Sequence, residues 1–265
     1  MGAKDLNFYS MLFAYLLLLI PIGILYITKV KLIKESILSV LRMSIQLGLV
    51  GVYLKYIFEW DNILLNIAWL FVMIIVSTFS IINSNGVCKR LFFLPIVGAL
   101  AISLFFNIAY FNFFIVKISD IFNAKYLIPI SGMLLGNSLK GNIIATNTFF
   151  DYFKNREGEY FFTLSLGASR EEALKPIVKE SMKRALRPTL ASIATIGLVS
   201  LPGMMTGQIL GGSIPMTAIK YQIAIMIAIF STMAISIFLV ILFLKRVSFN
   251  KFDVMKKYIF IKGEN

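Results

Sequence analysis

The sequence contains no histidine and only one cysteine, Cys88, among its 265 residues. The commonest transition-metal ligand is therefore missing, and an internal disulfide framework is excluded. Acidic residues are scarce, with 13 Asp and Glu against 26 Lys and Arg, so the formal net charge is +13. No G-x-x-x-x-G-K-S/T phosphate loop occurs, and this absence argues against a nucleotide-hydrolysing chain of that type.

Apolar residues are abundant instead. They make up 58% of the chain, and the mean hydropathy is +0.84, whereas soluble domains are nearer 45–50% apolar. The composition predicts an all-α, polytopic membrane bundle that forms a single domain over residues 1–265. Its positive charge is then better explained by loops that set membrane orientation than by nucleic-acid binding.

Seven stretches approach the roughly 20 residues that a helix needs to cross a bilayer. The first has no small-residue cleavage site after it and is interpreted as a retained span. The predicted spans are Phe8–Ile27, Ile37–Ile57, Ile63–Ile82, Leu91–Ala109, Tyr126–Thr148, Thr189–Leu210 and Tyr221–Leu244.

Lys and Arg are distributed unevenly among the loops between these spans. One side collects 19 of them and the other side 5. Because cytoplasmic loops carry the excess of positive charge, the N-terminus is predicted outside and the C-terminus in the cytoplasm.

The sixth predicted span is interrupted within the stretch Leu198–Gly212. Pro202 lacks an amide donor and Gly203 lacks a Cβ, so this pair is predicted to be a hinge. A helix broken inside a bilayer must be covered by protein or face a water-filled path. The polar or sulfur-bearing side chains that follow are candidates to line such a path, although packing and interhelical hydrogen bonds are alternatives: Met204, Met205, Thr206 and Gln208.

Polar residues in two other spans join the candidate path. Asn137 and Ser138 lie in the fifth span and Gln46 in the second. For Asn137 a helix–helix hydrogen bond is the alternative. Arg42 lies one turn from Gln46 and is predicted either at the headgroup level or as a partner of the cytoplasmic segment or of a pathway group. Nothing in the spacing identifies a metal site.

Residues 151–187 are too polar to cross the membrane. Gly167 suits the end of one short helix, and Ser169 with Glu172 forms a capping-box pattern that begins another. The pattern fits helices that lie on anionic lipid or a docking element for a cytoplasmic partner, placed between spans five and six.

Several stretches of the sequence resemble one family of membrane proteins. The run EYFFTLSLGASREEALKP (Glu159–Pro176) resembles the coupling region of ABC-transporter permeases. With RPTLASIATIGLVSLPGMMTGQILGGSIPMTAIKYQI (Arg187–Ile223), it resembles the Fet-type permeases, which are bacterial iron exporters similar to plant aluminium-sensitivity proteins. Arg42–Phe58 and Pro129–Leu139 agree with this resemblance.

The resemblance implies a transport subunit of the plasma membrane, not itself an enzyme, that exports a metal ion such as iron. It implies that ATP and Mg²⁺ bind a separate ATPase chain and that this chain binds no cofactor. It also implies a homodimer, since one set of spans forms half a shared path. Contact with the ATPase is expected at Glu159, Gly167 and Ala168, with Arg42 as a supporting residue.

An ATP-independent secondary transporter or channel is the alternative. Proton-coupled carriers usually need a carboxylate or histidine at depth, and the predicted spans hold neither well inside. Sodium coupling through backbone carbonyls and a partner-anchoring role both stay open. No arrangement of residues supports an intramembrane enzyme.

Overall fold

The computed structural model describes residues 7–117, 122–256 and 259, and nearly all of them are helical. A π-helical segment, Phe111–Val116, prolongs α5 beyond the predicted fourth span. In chain order the α-helices are α1 Phe8–Leu16, α2 Leu19–Ile27, α3 Ile33–Trp60, α4 Ile63–Asn85, α5 Lys89–Tyr110, α6 Ala124–Ser165, α7 Arg170–Thr195, α8 Gly203–Leu210 and α9 Pro215–Ser248.

Five helical segments within the described ranges are long and apolar enough to cross a membrane. They confirm an all-helical, polytopic membrane protein, and they match the predicted spans one, two, three, four and seven. The five are Phe8–Ile27, Ile33–Trp60, Ile63–Asn85, Lys89–Val116 and Pro215–Ser248.

The other two predicted spans, five and six, are not single apolar helices. The fifth falls inside α6, where Asn137, Lys140 and Asn142 lower the apolar character. The sixth is not one helix, because α7 ends at Thr195 and α8 begins only at Gly203. The predicted break is therefore present, but it begins six residues before Pro202.

Residues 151–187 contain the predicted helix–glycine–helix pattern around Gly167, but the second helix is longer than predicted and runs into the predicted sixth span. Arg156 has non-helical backbone angles (φ −138°, ψ 28°) and separates the long first part of α6 from a short helix over residues 157–165, while α7 continues past Arg187 to Thr195. At about 1.5 Å per residue, residues 124–155 of α6 extend for about 48 Å before the kink, which is more than the hydrocarbon thickness of a bilayer, about 30 Å. The α6–α7 hairpin must therefore project from the membrane.

The core lies between α4, α5, α6 and α9, and α7 packs on α6 and α9. One buried polar contact crosses it, where the Asn142 amide donates to the Ser236 hydroxyl at 2.9 Å. Large apolar side chains fill the remaining space and are almost fully shielded, among them Leu70, Ile74, Phe92, Leu100, Leu104, Leu134, Phe149, Ile237 and Val240.

The first three helices contribute little to this core. Helices α1 and α2 have no buried residue, and α3 has only Ile57. Most of their large apolar side chains are exposed. In a membrane protein such a surface faces lipid or another subunit, because the apolar area is unusually large for a surface in contact with water.

Contacts at the helix ends show which loops lie together. At one end, the Cys88 amide donates to the Ile259 carbonyl at 2.8 Å, and the Tyr160 hydroxyl donates to the Asp253 carbonyl at 2.9 Å. At the other end, the Asp61 carboxylate accepts from the Ala124 amide at 2.8 Å. The α4–α5 turn, the α6–α7 hairpin and the segment after α9 thus share one end, as the charge pattern predicts.

Candidate functional site

The tip of the α6–α7 hairpin is a short turn, Leu166–Ser169, which we call the elbow. Gly167 adopts φ +91°, a left-handed conformation that favours glycine, and its amide donates to the Leu164 carbonyl at 2.9 Å. On the other side of the turn, the Ser169 side chain and Glu172 form the predicted capping box at the start of α7. Both helices that meet at the elbow therefore end in defined hydrogen-bonded caps.

The capping box also sets the charge state of Glu172. The Ser169 hydroxyl donates to this carboxylate at 2.7 Å and the Ser169 amide at 2.8 Å. These bonds hold the pKa of Glu172 below its usual value of 4.5, because they stabilise the ionised form. The cap is thus at full strength at neutral pH.

The elbow presents apolar side chains outward. Phe162 and Leu166 are 65% and 72% exposed, while Ala168 is half-buried. Glu159 lies one turn before Phe162 on α6, where its carboxylate accepts from the Tyr152 hydroxyl at 3.0 Å. The result is an exposed apolar tip with a carboxylate beside it, which suits contact with another protein.

A second interruption separates α7 from α8, and we call residues 196–202 the inner turn. Gly197 has φ +84°, and its amide donates to the Ser200 carbonyl at 3.0 Å. Pro202 occupies the N-cap position of α8 without a side-chain cap, and Gly203 is the first helical residue. Leu198 is 90% exposed, so protein packing covers this turn poorly.

An apolar cavity of about 470 Å³ opens beside the inner turn, between α7, α8 and α9. Met205 lines it and is buried. Gln222, on α9, also lines it and is 5% exposed, with no hydrogen-bond partner for its side-chain oxygen among the described residues. A buried amide of this kind is costly unless something else bonds it.

Sequence reasoning missed Gln222 because the last span was predicted to start at Tyr221. Helix α9 begins at Pro215 instead, and proline is favoured in the first turn of a helix. A helix that begins at Pro215 places Gln222 two turns inside the last span.

The other candidates that follow the break take different positions. Met204 packs against the main core. The Thr206 hydroxyl donates to the Pro202 carbonyl at 3.1 Å, a local helix bond. The side-chain oxygen of Gln208 is buried without a hydrogen-bond partner in the described part of the chain. Of these residues, only Met205 lines the apolar cavity.

The candidates on the other helices lie elsewhere. Gln46 is exposed and lines a different cavity, of about 630 Å³, between α3, α4 and α6. Asn137 donates to the Met133 carbonyl at 2.8 Å, and Ser138 is fully buried on the same helix. A single chain thus divides the candidate path residues between two cavities and the core.

Arg42 is exposed in the third turn of α3, where it shares a cleft with Lys31, Lys34 and Glu35. That cleft contains no residue of the elbow. The structure therefore places Arg42 apart from Glu159, Gly167 and Ala168.

Over residues 7–117, 122–256 and 259, no group of three or more His, Cys, Asp or Glu side chains is positioned to hold a metal ion. The side-chain donors that line the two cavities described above are amides, thioethers and hydroxyls, and neither lining includes a carboxylate, an imidazole or a thiol. The geometry defines a multi-pass helical membrane protein with two cavities and a projecting, capped elbow.

Comparison with known proteins gives the family. The profile of the uncharacterised protein family UPF0014 matches residues 8–249, and the chain belongs to this family. It is 34% identical over 206 residues to UPF0014 membrane protein YjkA of Bacillus subtilis, covering 76% of this chain and 78% of that one.

Two further relatives carry more informative names. The probable iron export permease protein FetB of Escherichia coli is 31% identical over 89% of this chain and 90% of its own. Protein ALUMINUM SENSITIVE 3 of Arabidopsis thaliana is 31% identical over 80% of this chain and 77% of its own. No solved structure matches the chain significantly.

Proposed function

We propose that this chain is the membrane-spanning subunit of an ATP-binding cassette exporter in the plasma membrane, with a metal ion as its substrate. Iron is the first candidate, since the relative FetB is named a probable iron export permease. ATP and Mg²⁺ bind a separate ATPase chain, and this subunit contributes the path.

The observation that carries the proposal is the projecting α6–α7 hairpin. The hairpin extends beyond the thickness of a bilayer, and at its tip Phe162 and Leu166 are exposed rather than packed in the core of this chain. A partner on that side explains both features. Glu159, Gly167 and Ala168 are then the contact residues, and Arg42 would act only through a movement of α3.

The proposed topology has seven spans, with α6 and the α7–α8 unit added to the five apolar segments. The N-terminus lies outside and the elbow in the cytoplasm, according to the distribution of positive charge. Two copies form the transporter, because α1 to α3 leave a broad apolar surface that a second copy can share with lipid.

The proposed path runs past Met204, Met205, Thr206 and Gln208, with Gln46, Asn137 and Ser138 contributing after the two copies assemble. Pro202 and Gly203, with the inner turn before them, form the hinge. Movement at the elbow passes along α7 to the inner turn and opens one side of the path.

The experiment is co-purification of the chain with the ATPase encoded beside it, followed by ATP hydrolysis in lipid with and without Fe(II). A stable complex whose hydrolysis rises with Fe(II) supports the subunit role and the substrate. A stable complex whose hydrolysis does not change with Fe(II) supports the permease role and rejects iron as the substrate. Absence of any complex overturns the proposal and favours a secondary transporter.

A further inference from the structure

The segment after α9, residues 249–256 and 259, folds back on the membrane domain, and we call it the tail segment. Phe249 and Met255 pair as an antiparallel bridge. The side-chain oxygen of Asn250 closes the turn between them, since it accepts from the Phe252 amide at 2.8 Å and the Val254 amide at 3.0 Å. The tail segment is therefore an ordered turn with its own hydrogen bonds.

This turn contacts both helices of the hairpin. The Asp253 carbonyl accepts from the Tyr160 hydroxyl on α6 at 2.9 Å. The Asp253 carboxylate pairs with the Arg170 guanidinium on α7 at 3.1 Å. One residue of the tail segment thus bonds a side chain on each side of the elbow.

Aromatic packing supports the same junction. The Phe249 ring lies 5.4 Å from the Phe153 ring and 5.7 Å from the Tyr160 ring, between centroids. Tyr160 is 1% exposed, and burial, with the nearby Asp253 charge, raises its pKa to about 12. Its hydroxyl therefore stays protonated and remains a hydrogen-bond donor across the physiological range.

Two further contacts fix the ends of this junction. Lys245, in the last turn of α9, forms an ion pair with Glu171 at the start of α7. At the far end of the tail segment, Ile259 is fully buried and its carbonyl accepts from the Cys88 amide at 2.8 Å. The hairpin is thereby connected to α9 and to the α4–α5 turn.

We propose that Asp253 is a positioning residue for the elbow, and that the tail segment is a strut that holds the hairpin at a fixed angle to the membrane domain. Asp253 acts through Tyr160 and Arg170 rather than by touching a partner. A hairpin held in this way moves α7 with the ATPase instead of bending. This functional consequence rests on the proposed function.

The chain offers closely matched variants. Asp253→Asn removes the charge but keeps a residue that tolerates the left-handed backbone, which is needed because φ is +59° there. Arg170→Gln removes the partner charge, and Arg170→Lys restores it. Lys183→Gln is the control, since it removes one charge from an exposed position on the same helix.

The first readout needs no ATPase. Hydrogen exchange of the amides of residues 160–172 is measured in the purified full-length chain in lipid. Asp253→Asn and Arg170→Gln are expected to exchange about two- to fivefold faster, the effect of losing a partly exposed ion pair. Arg170→Lys and Lys183→Gln are expected to match the unaltered chain, and equal exchange in all variants would overturn the strut.

The second readout is transport per ATP hydrolysed in the complex with the ATPase. Asp253→Asn is expected to retain the complex and lower this ratio severalfold, whereas Lys183→Gln leaves it unchanged. Faster exchange without any ATPase complex would keep the strut and refute the proposed function. A retained complex with an unchanged ratio would refute the role of Asp253 in coupling.

Discussion

The elbow and the inner turn use the same backbone device in opposite surroundings. Each contains a glycine in the left-handed region, Gly167 at φ +91° and Gly197 at φ +84°. The elbow is followed by a complete capping box at Ser169 and Glu172 and is joined to the tail segment. The inner turn is followed by an α8 that lacks a side-chain cap and lies beside a cavity.

The difference separates two mechanical tasks. A turn with satisfied caps and cross-links resists bending and can pass a displacement onward. A turn that lies beside an open cavity and is followed by a helix without a side-chain cap opens at lower free energy. We therefore expect the elbow to move as a unit and the inner turn to deform.

The largest effect is expected for Gly167→Asp, which places a charge between the apolar side chains of the elbow and also strains the left-handed backbone at φ +91°. It should abolish ATPase stimulation while membrane insertion stays normal, and co-purification followed by ATP hydrolysis measures this. Gly158→Asp is the control, because it adds the same charge to the exposed part of α6 at a position with open space. An equal loss of ATPase stimulation in both variants would refute a specific role for the elbow.

Gly197→Ala should affect the other turn. A Cβ there meets nothing within 4 Å, so the substitution adds only the strain of a left-handed alanine, about 1–2 kcal/mol. The complex with the ATPase should persist, while transport per ATP falls severalfold in vesicles. Loss of the complex instead would show that the two turns are not separate in function.

Gln222→Leu tests whether the buried amide beside the cavity destabilises the protein and serves the transport path. Removal of a buried amide whose oxygen lacks a partner among the described residues should stabilise the protein by about 1 kcal/mol, and Tm in detergent measures this. Transport should fall if the amide serves the path. Ile223→Leu, in the same cavity, is the control. A Tm that falls would mean that Gln222 has a structural partner.

The smallest effect concerns pH. Because the folded-state pKa of Glu172 is lowered, its contribution to stability is complete above its usual pKa and is lost as pH falls through the folded value. Thermal unfolding between pH 7 and pH 3 should show this loss. Ser169→Ala, expected to cost about 1 kcal/mol at neutral pH, should also flatten that pH dependence, and an unchanged slope would contradict it.

Local signals predicted the elbow well. Gly167 as a helix stop and the Ser169–Glu172 capping box depend on residues close in sequence, and the structure contains both. The apolar spans were predictable because 20-residue hydrophobic stretches have few alternatives. The break near Pro202 was also expected, but its start at Ile196 depends on the Gly197 turn, which a single glycine signals weakly.

Long-range features could not be predicted. The bonds from Asp253 to Tyr160 and Arg170 join residues more than 80 positions apart, and no sequence pattern encodes them. The continuity of α6 through residue 151 was hidden because a polar segment after a span resembles a loop. Gln46, Asn137 and Met205 lie in different surroundings, and this could not be predicted because it depends on how the helices pack.

The most direct test is to measure distances across both turns during the ATP cycle. Spin labels at Glu157→Cys and Lys179→Cys report on the elbow, and labels at Ser192→Cys and Met216→Cys report on the inner turn, in a Cys88→Ser background. In the complex with its ATPase, ATP should leave the first distance unchanged and shift the second. A shift confined to the elbow, with a constant distance across the inner turn, would contradict the account.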